Sequence, residues 1–241
     1  QKGYPLLLLH GFTGSNDTWN DFREQWESHS QAIAVDIIGH GRTESPEDIS
    51  RYYIEQAADD LNKILVQMKI EKADILGYSM GGRLALTFAL KYPHKVRKLI
   101  LESTSPGLEN EKEREERRKQ DEQLALHIQE QGIRKFVEYW ENIPLFQSQK
   151  TLPENIRLNI REQRLNNSQI GLINSLRGMG TGVQPPWWNR LEQLNVPVLI
   201  ITGSADKKFC RIGERMKNRI KSARMVTISN CGHAVHMEKP E

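Results

Sequence analysis

Cysteine, long apolar runs and an excess of either charge are all scarce in this sequence, and each absence excludes a class of protein. Two cysteines, Cys210 and Cys231, are too few for a disulfide framework or a structural zinc site. The sequence has no run of about 18 apolar residues, and residues 1–9 lack the charged start and long apolar centre of a secretory signal. We therefore expect a protein of a reducing compartment, the cytoplasm, that does not bind a membrane.

Charge is nearly balanced, with 34 basic and 31 acidic residues and a net charge of +3. The two signs are interspersed, which argues against a nucleic-acid partner and leaves any anionic partner to a local cluster of cations. No cluster of His, Cys and Asp shows the spacing of metal ligands, so the sequence implies no metal and no other cofactor. Oligomeric state stays open, as does the presence of further native residues, since the first residue is Gln1 rather than a methionine.

Short apolar runs alternate with helical patterns along most of the chain, as βαβ units require. Continuous apolar runs are typical of strands that are buried on both faces. The sequence therefore predicts an α/β fold with a mostly parallel sheet and helices on both faces. The predicted strands are residues 6–9, 32–35, 73–76, 99–101, 198–201 and 225–228, and the predicted helices include 18–26, 54–68, 80–91 and 211–220.

The alternation stops over residues 106–189, where helical patterns continue without a convincing strand. We expect a helical cap there, inserted into a core formed by residues 1–105 and 190–241. The first part of the cap, 109–123, is almost entirely polar, so its first turns are expected in solvent. A turn-rich stretch then returns the chain to the sheet, with Trp187 and Trp188 as anchors.

The strongest chemical signal is the sequence GYSMGG at residues 77–82, between a predicted strand and a predicted helix. A serine on a sharp strand-to-helix turn needs small neighbours, because larger side chains would collide with adjacent backbone. The turn leaves the serine hydroxyl exposed above the sheet. The five-letter pattern also occurs by chance in turns, but its setting here favours a nucleophile elbow and makes Ser79 a catalytic candidate.

A second loop, HGFTGS at residues 10–15, follows the first predicted strand. We expect the backbone amides of Phe12 and Met80 to form an oxyanion hole, since such holes use the residue after the serine and one amide from this upstream loop. For His10 we favour a packing or hydrogen-bonding role that shapes the loop over a catalytic role.

The last two predicted strands are followed by the other catalytic candidates, Asp206 and His233. Ligand chemistry in open α/β sheets collects at the carboxyl ends of strands. The chain order Ser79, Asp206, His233 is the one expected for this fold, with Asp206 orienting the imidazole and His233 exchanging a proton with Ser79. Asp36 also leaves a strand end, but the glycine-rich turn after it favours a structural role. We interpret His236 as a residue behind the site or at the surface.

These motifs together resemble the α/β-hydrolase superfamily over essentially the whole chain. Within it, GYSMGGR at 77–83, SPGL at 105–108 and the arginine-rich cap are similar to the 2-succinyl-6-hydroxy-2,4-cyclohexadiene-1-carboxylate synthases of menaquinone biosynthesis. The resemblance implies a lyase that eliminates pyruvate from 2-succinyl-5-enolpyruvyl-6-hydroxy-3-cyclohexene-1-carboxylate, a small polycarboxylate, with the triad as base system. Compared with complete members of the family, the sequence lacks the strands that usually precede Pro5 and the helix that usually follows Glu241.

Arginines suit such a substrate, because a guanidinium pairs with a carboxylate through two hydrogen bonds. Arg83 follows Ser79 by one helical turn and is expected at the mouth of the site, with a bridge inside the core as the alternative. The resemblance assigns carboxylate binding to Arg117 and Arg164 as well. In the charged run that contains Arg117, two neighbours are equally suitable, Arg114 and Arg118.

The resemblance also places Tyr78 and Trp140 against the substrate, although aromatic residues at helical spacing more often belong to the core. Two other functions stay open. The same triad serves a carboxylesterase or a carbon–carbon bond hydrolase that acts through an acyl-enzyme, because a fold alone does not fix the reaction. The third hypothesis is a non-catalytic receptor with the hydrolase fold, against which the complete triad argues.

Overall fold

Six parallel strands form one sheet in the computed structural model, which describes residues 3–241. The strands are β1 (Tyr4–Leu9), β2 (Ser30–Val35), β3 (Ala73–Tyr78), β4 (Val96–Glu102), β5 (Val198–Gly203) and β6 (Ala223–Ile228). Their order is β2-β1-β3-β4-β5-β6. The order reverses between β1 and β3, and the carboxyl ends of these two strands border the crevice in which open α/β sheets bind ligands. The predicted parallel α/β sheet is confirmed.

A row of apolar side chains crosses the sheet and fixes its register. Leu7, Ile75, Leu99 and Val198 are paired in sequence across four neighbouring strands, and each is at most 3% exposed. Burying one such side chain stabilises a fold by about 1.5–3 kcal/mol. A shift of one residue in any strand would turn its apolar set to the other face, so this row holds the strand ends, and the loops on them, in place.

Eight α-helices surround the sheet within residues 3–241. They are α1 (Arg23–Glu27), α2 (Ile54–Gln67), α3 (Met80–Lys91), α4 (Glu111–Trp140), α5 (Glu154–Leu165), α6 (Gln169–Met179), α7 (Lys207–Arg219) and α8 (Val235–Glu238). The predicted helices 54–68 and 80–91 match α2 and α3 to within one residue. In this part of the chain no helix combines the length and the apolar composition needed to cross a bilayer.

Two predicted helices differ from the structure at their starts. The pattern at 18–26 forms a 3-10 helix, Asn16–Phe22, before the short helix α1. The last predicted helix starts at Lys207 rather than at residue 211, because the Asp206 side chain caps it by accepting from the amide of Phe209.

Three helices, α4 to α6, lie between β4 and β5, where no strand was expected. The first ten residues of α4 are mostly exposed, as their polar composition predicts. At Gly132 the helix is broken by a φ of 77°, which glycine adopts without steric strain. Beyond its polar start α4 packs on α6 around a second apolar cluster that includes Phe136 and Leu172. Phe12 packs against this cluster and against the main core, so the loop after β1 touches both.

The chain leaves this helical insertion through two tryptophans. Trp187 donates its indole N–H to Thr87 Oγ1 at 2.9 Å, and Trp188 donates to the carbonyl of Gly107 at 2.9 Å. Both indoles are buried. A buried tryptophan with its N–H satisfied contributes a large apolar area at no polar cost, so this pair fixes the exit of the insertion to α3 and to the segment after β4.

Candidate active site

Ser79 stands on the turn between β3 and α3 in a conformation that serine rarely adopts. Its φ is 52° and its ψ is −107°. Conformations of this kind cost about 1–3 kcal/mol and persist only where the surroundings enforce them. Here the Ser79 amide donates to the carbonyl of Glu102 at 2.9 Å, and the Ser79 carbonyl accepts from Thr104 Oγ1 at 2.7 Å. The end of β4 therefore holds the serine in its strained geometry.

Glycines on both sides of Ser79 are required by close approach of the backbone. A β-carbon on Gly77 would overlap the carbonyl of Gly81, and one on Gly81 would overlap the carbonyl of Leu9 at the end of β1. Strand, turn and helix therefore fit together only with hydrogen at these positions, which is the physical content of the GYSMGG pattern.

Two hydrogen bonds join Ser79, His233 and Asp206. His233 Nε2 lies 2.9 Å from Ser79 Oγ, and His233 Nδ1 lies 2.6 Å from Asp206 Oδ2. The imidazole is 1% exposed, so bulk water does not compete for either bond. Because an ionised carboxylate only accepts, Nδ1 carries the proton and Nε2 is left to accept the proton of the serine hydroxyl. The arrangement can remove a proton from Ser79.

The two candidate aspartates have different surroundings. Asp206 offers one oxygen to His233 and the other to the amide of Phe209, so capping of α7 and orientation of the imidazole share one carboxylate. Asp36 lies apart from His233 and accepts from the amide of Asn16 at 2.7 Å and that of Arg42 at 3.1 Å. Asp36 therefore fixes the loops beside the site, which agrees with the structural role that we favoured.

A second carboxylate–imidazole pair lies behind the first. His236 Nδ1 is 2.7 Å from Glu102 Oε1, and the His236 amide donates to the same oxygen at 3.2 Å. Both side chains are buried, so the expectation of a surface position for His236 is wrong and a position behind the site is right. The ring of Tyr78 lies 4.6 Å from His236 and 5.5 Å from His233, between the two imidazoles. Burial raises the pKa of Tyr78 well above its usual value.

The loop after β1 lies beside Ser79, since a β-carbon on Gly11 would be 3.6 Å from Ser79 Cβ. His10 shapes this loop, since His10 Nδ1 lies 2.7 Å from the carbonyl of Gly11 and Nε2 accepts from the amide of Ile37 at 3.0 Å. Burial lowers the pKa of His10 to about 4, so the imidazole is neutral at pH 7. Within residues 3–241 the amides of Phe12 and Met80 donate to no backbone acceptor, which leaves both free for a ligand oxygen.

A cavity of about 300 Å³ opens directly above Ser79 and His233. Its lining includes Phe12, Tyr78, Met80 and, from the helical insertion, Trp140. Trp140 also packs edge-on against Phe12, so it serves the second apolar cluster and the cavity wall together. The volume suits one small ring with short substituents.

Two of the predicted arginines line this cavity. Arg83 is 8% exposed, and its Nη1 donates to the carbonyl of Met179 and to Gln184 Oε1. Burial is the main cause that lowers the pKa of Arg83 to about 10, which keeps it charged at pH 7. Arg117 reaches the cavity as well and donates from Nε to Asp121. Arg83 thus both bridges the core and lines the cavity.

The alternatives to Arg117 point elsewhere. Arg114 and Arg118 both donate to the carbonyl of Gly182, in the turn after α6, and both pair with Glu111. Neither lines the cavity above Ser79. Of the three arginines in the charged run, Arg117 is therefore the one placed to meet a ligand.

Arg164 does not line this cavity, and its carboxylate-binding role stays a prediction. Its guanidinium stacks 4.9 Å from the centre of the Phe146 ring and donates to Gln149 Oε1 at 3.1 Å. Phe146 links Arg164 to the site, since Phe146 lines the cavity above Ser79 and also packs against Arg164. Burial lowers the pKa of Arg164.

Several side chains at the site carried no signal in the sequence. Asp121 accepts a hydrogen bond from Arg117, and Gln184 accepts one from Arg83. Neither pairing was predicted from the sequence. The spacing of Arg117 and Asp121 by four residues on one helix was the available clue, because such pairs meet on a helix surface. The residues that line the cavity without having been predicted are Thr104, Ser105, Leu145, Phe146, Ser175, Leu176, Met179, Gly180, Thr181, Lys208 and Phe209.

Comparison with known proteins agrees with this geometry. The family model described as alpha/beta hydrolase fold matches residues 4–240. A protein of Bacillus subtilis (strain 168), provisionally named 2-succinyl-6-hydroxy-2,4-cyclohexadiene-1-carboxylate synthase, is 48% identical over 98% of this chain and 85% of its own length. The enzyme of that name from Citrobacter koseri is 30% identical over the whole chain and 91% of its own length.

Superposition on solved structures agrees with the comparison of sequences. The structure of MenH from S. aureus superposes with a TM-score of 0.96 at 38% identity, covering 100% of this chain and 90% of that one. A thermophilic esterase from Thermogutta terrifontis superposes with a TM-score of 0.88 at 27% identity, covering 99% and 86%. The likeness to the first is closer in both sequence and shape.

Proposed function

The chain belongs to the α/β-hydrolase family and, within it, to the 2-succinyl-6-hydroxy-2,4-cyclohexadiene-1-carboxylate synthases, and on that premise we propose that it eliminates pyruvate from 2-succinyl-5-enolpyruvyl-6-hydroxy-3-cyclohexene-1-carboxylate. The chain is thus a lyase that uses a hydrolase triad. Its substrate is a small polycarboxylate, and its products are pyruvate and the cyclohexadiene that gives these enzymes their name.

One observation carries the proposal: two arginines and the Ser79–His233 pair face the same cavity. A triad alone suits many reactions, but simple esters have no use for buried guanidinium groups. Arg83 and Arg117 match carboxylates through paired N–H donors. The combination supports a substrate that carries carboxylates around a reacting ring.

In the proposed reaction His233, oriented by Asp206, takes the Ser79 proton as the serine oxygen removes the hydrogen from ring carbon 2. The C–H electron pair is first held as an enolate on the succinyl carbonyl. It then forms the C2=C3 double bond, while the C3=C4 pair moves to C4=C5 and the bond from C5 to the enolpyruvyl oxygen breaks. The released pyruvate enolate takes the proton that His233 received and becomes pyruvate. Charge that develops on the succinyl carbonyl beside carbon 2 is stabilised by the amides of Phe12 and Met80.

Residues 106–189 act in this scheme as the cap that shields the reaction, and they supply Arg117 and Trp140 to the cavity. Tyr78 contributes a wall beside His233. Arg164, which packs against the cavity residue Phe146, completes the predicted set of carboxylate-binding arginines. No cofactor enters the reaction. A cytoplasmic location fits two cysteines that are both free.

Ester hydrolysis is the second candidate, favoured by the structural likeness to the esterase from Thermogutta terrifontis. In that case Ser79 attacks a carbonyl and an acyl-enzyme accumulates. The two functions differ in their need for Arg83, which an uncharged ester does not use.

The deciding experiment follows pyruvate release from the proposed substrate and burst release from an uncharged activated ester, for the wild type and for Arg83→Ala. The lyase proposal expects pyruvate from the wild type, a loss of about tenfold or more in kcat/KM on the polycarboxylate in the variant, and similar ester rates in both. Absence of pyruvate together with an ester burst that is independent of Arg83 would establish the esterase instead. Arg177→Ala is the matched control, because Arg177 pairs with Glu122 on the outside of the insertion.

A further inference from the structure

A buried carboxylate with only one of its two oxygens hydrogen-bonded lies behind the arginines of the cavity. Asp121, on α4, is 2% exposed. Its Oδ1 accepts from Arg117 Nε at 2.8 Å, whereas its Oδ2 is buried and has no partner among the described residues. Burial raises the pKa of Asp121, while the charges of Arg117 and Arg83 act in the opposite direction. An incompletely satisfied buried carboxylate is costly, which sets Asp121 apart from the exposed acids of α4.

The hydrogen bond to Asp121 leaves the terminal amino groups of Arg117 free to bind a ligand. Only Nε is engaged, and the two terminal amino groups of Arg117 have no protein partner in residues 3–241. A carboxylate ligand binds a guanidinium best through two parallel N–H donors. Asp121 therefore fixes the plane of the guanidinium from behind while a pair of donors stays available at the cavity.

Arg83 is held differently, by neutral groups. Its acceptors are the carbonyl of Met179 at 2.6 Å and Gln184 Oε1 at 2.5 Å, and neither carries charge. Gln184 is 1% exposed, so the arrangement is fully inside the protein. The only carboxylate that raises the pKa of Arg83 is Asp121, and the neighbouring charge of Arg117 lowers it. The three charged groups form one cluster, in which Arg83 and Asp121 are buried and Arg117 is partly exposed at the cavity.

Two guanidinium charges against one carboxylate leave this cluster with one net positive charge. We infer that Asp121 positions Arg117 and sets the charge of the cluster, so that this end of the cavity accepts one carboxylate monoanion in preference to a dianion. A monoanion brings the cluster to neutrality, whereas a dianion leaves an uncompensated negative charge in a buried place. The inference rests on the proposed function only in taking Arg83 and Arg117 as carboxylate-binding side chains.

Two aromatic acids of similar size and different charge test this directly. Benzoate is a monoanion, and phenylphosphonate is mostly a dianion at pH 8, so calorimetric titration of the intact chain at pH 8 compares the two charges without requiring turnover. Asp121→Asn keeps an oxygen acceptor for Arg117 Nε and removes the charge. Asp121→Ala removes both. Glu122→Gln is the matched control, since Glu122 is the next residue of α4 and pairs with Arg177 outside the cavity.

We expect the wild type to bind benzoate more tightly than phenylphosphonate. In Asp121→Asn the ratio of the two affinities shifts toward phenylphosphonate by about tenfold or more. In Asp121→Ala, affinity for benzoate falls by a similar factor, because Arg117 loses its anchor. Glu122→Gln leaves both affinities within about twofold of the wild type.

Three results would overturn the inference: no detectable benzoate binding by the wild type at millimolar concentration, a wild-type preference for phenylphosphonate, or an unchanged ratio in Asp121→Asn. If Asp121→Ala does not fold, the conservative asparagine variant decides the question alone. A chain that binds the probes as expected but releases no pyruvate disproves the proposed function and leaves the charge of the cluster established.

Discussion

His233 Nε2 lies 2.9 Å from Ser79 Oγ, although 154 residues separate the two along the chain. The serine follows β3, while the histidine follows β6 at the edge of the sheet, with β4 and β5 between them. The loop after β6 reaches back over the end of β5, where the amide of Ala205 donates to the carbonyl of Cys231 at 2.9 Å. The hydrogen bond between His233 and Ser79 therefore depends on the register of the whole sheet. Catalytic activity is for that reason a measure of correct folding.

Replacing Asp206 by Asn tests how the imidazole is oriented. The amide can donate to Nδ1, which shifts the proton to Nε2 and removes the acceptor that Ser79 needs. We expect kcat for pyruvate release to fall by a factor of about 10³ to 10⁴, with KM little changed. Asp36→Asn, the change of an aspartate at another strand end, should leave kcat within about threefold. Equal losses in the two variants would show that Asp206 acts through stability alone.

Two glycine substitutions separate the effect of steric overlap from the effect of an unusual backbone conformation. A β-carbon on Gly81 meets the carbonyls of Leu9 and His10, which cannot move without shifting β1. Gly132 has a φ of 77° but open space around the position of its β-carbon. We expect Gly132→Ala to lower the free energy of unfolding by about 1–3 kcal/mol, and Gly81→Ala to lower it by more and to reduce turnover. Denaturant unfolding of both variants measures this, and a larger loss at Gly132 would contradict it.

The buried histidines predict a dependence of stability on pH. Burial holds the pKa of His10 at about 4 in the folded chain, against 6.5 for an unperturbed histidine, and holds that of its neighbour His40 at about 3. Because the unfolded chain takes up the proton first, the stability that comes from the neutral buried histidines is fully present above pH 6.5. It is lost as the pH falls from 6.5 toward 4, and His10 alone accounts for about 3 kcal/mol.

Comparison with His10→Gln isolates this contribution, because carboxylates titrate in part of the same range. The free energy of unfolding, measured in urea from pH 7 to pH 4, should fall less steeply in His10→Gln than in the wild type. Parallel curves would mean that protonation of His10 is not linked to folding.

The sheet and the elbow could be predicted because their signals are local. Buried parallel strands are apolar along their length, and the crowded turn around Ser79 admits only glycine at Gly77 and Gly81. The cap of α7 was also readable, since an aspartate such as Asp206 before a helical segment is a common N-cap. The helix predicted from residue 211 did not make use of that signal.

The pairings inside the site could not be predicted because they join distant segments. Gln184 meets Arg83 across 101 residues, and His236 meets Glu102 across 134. Nothing in a polar side chain or its neighbours in sequence says which distant group it will face. The stacking of Arg164 on Phe146 could not be predicted for the same reason.

The most direct test of the account is the rate of pyruvate release from 2-succinyl-5-enolpyruvyl-6-hydroxy-3-cyclohexene-1-carboxylate by Ser79→Ala, measured beside the wild type. If the Ser79 oxygen removes the ring proton, with His233 as its base, the variant should lose a factor of about 10³ or more in kcat while it stays folded. A folded Ser79→Ala protein that releases pyruvate at the wild-type rate would contradict the account.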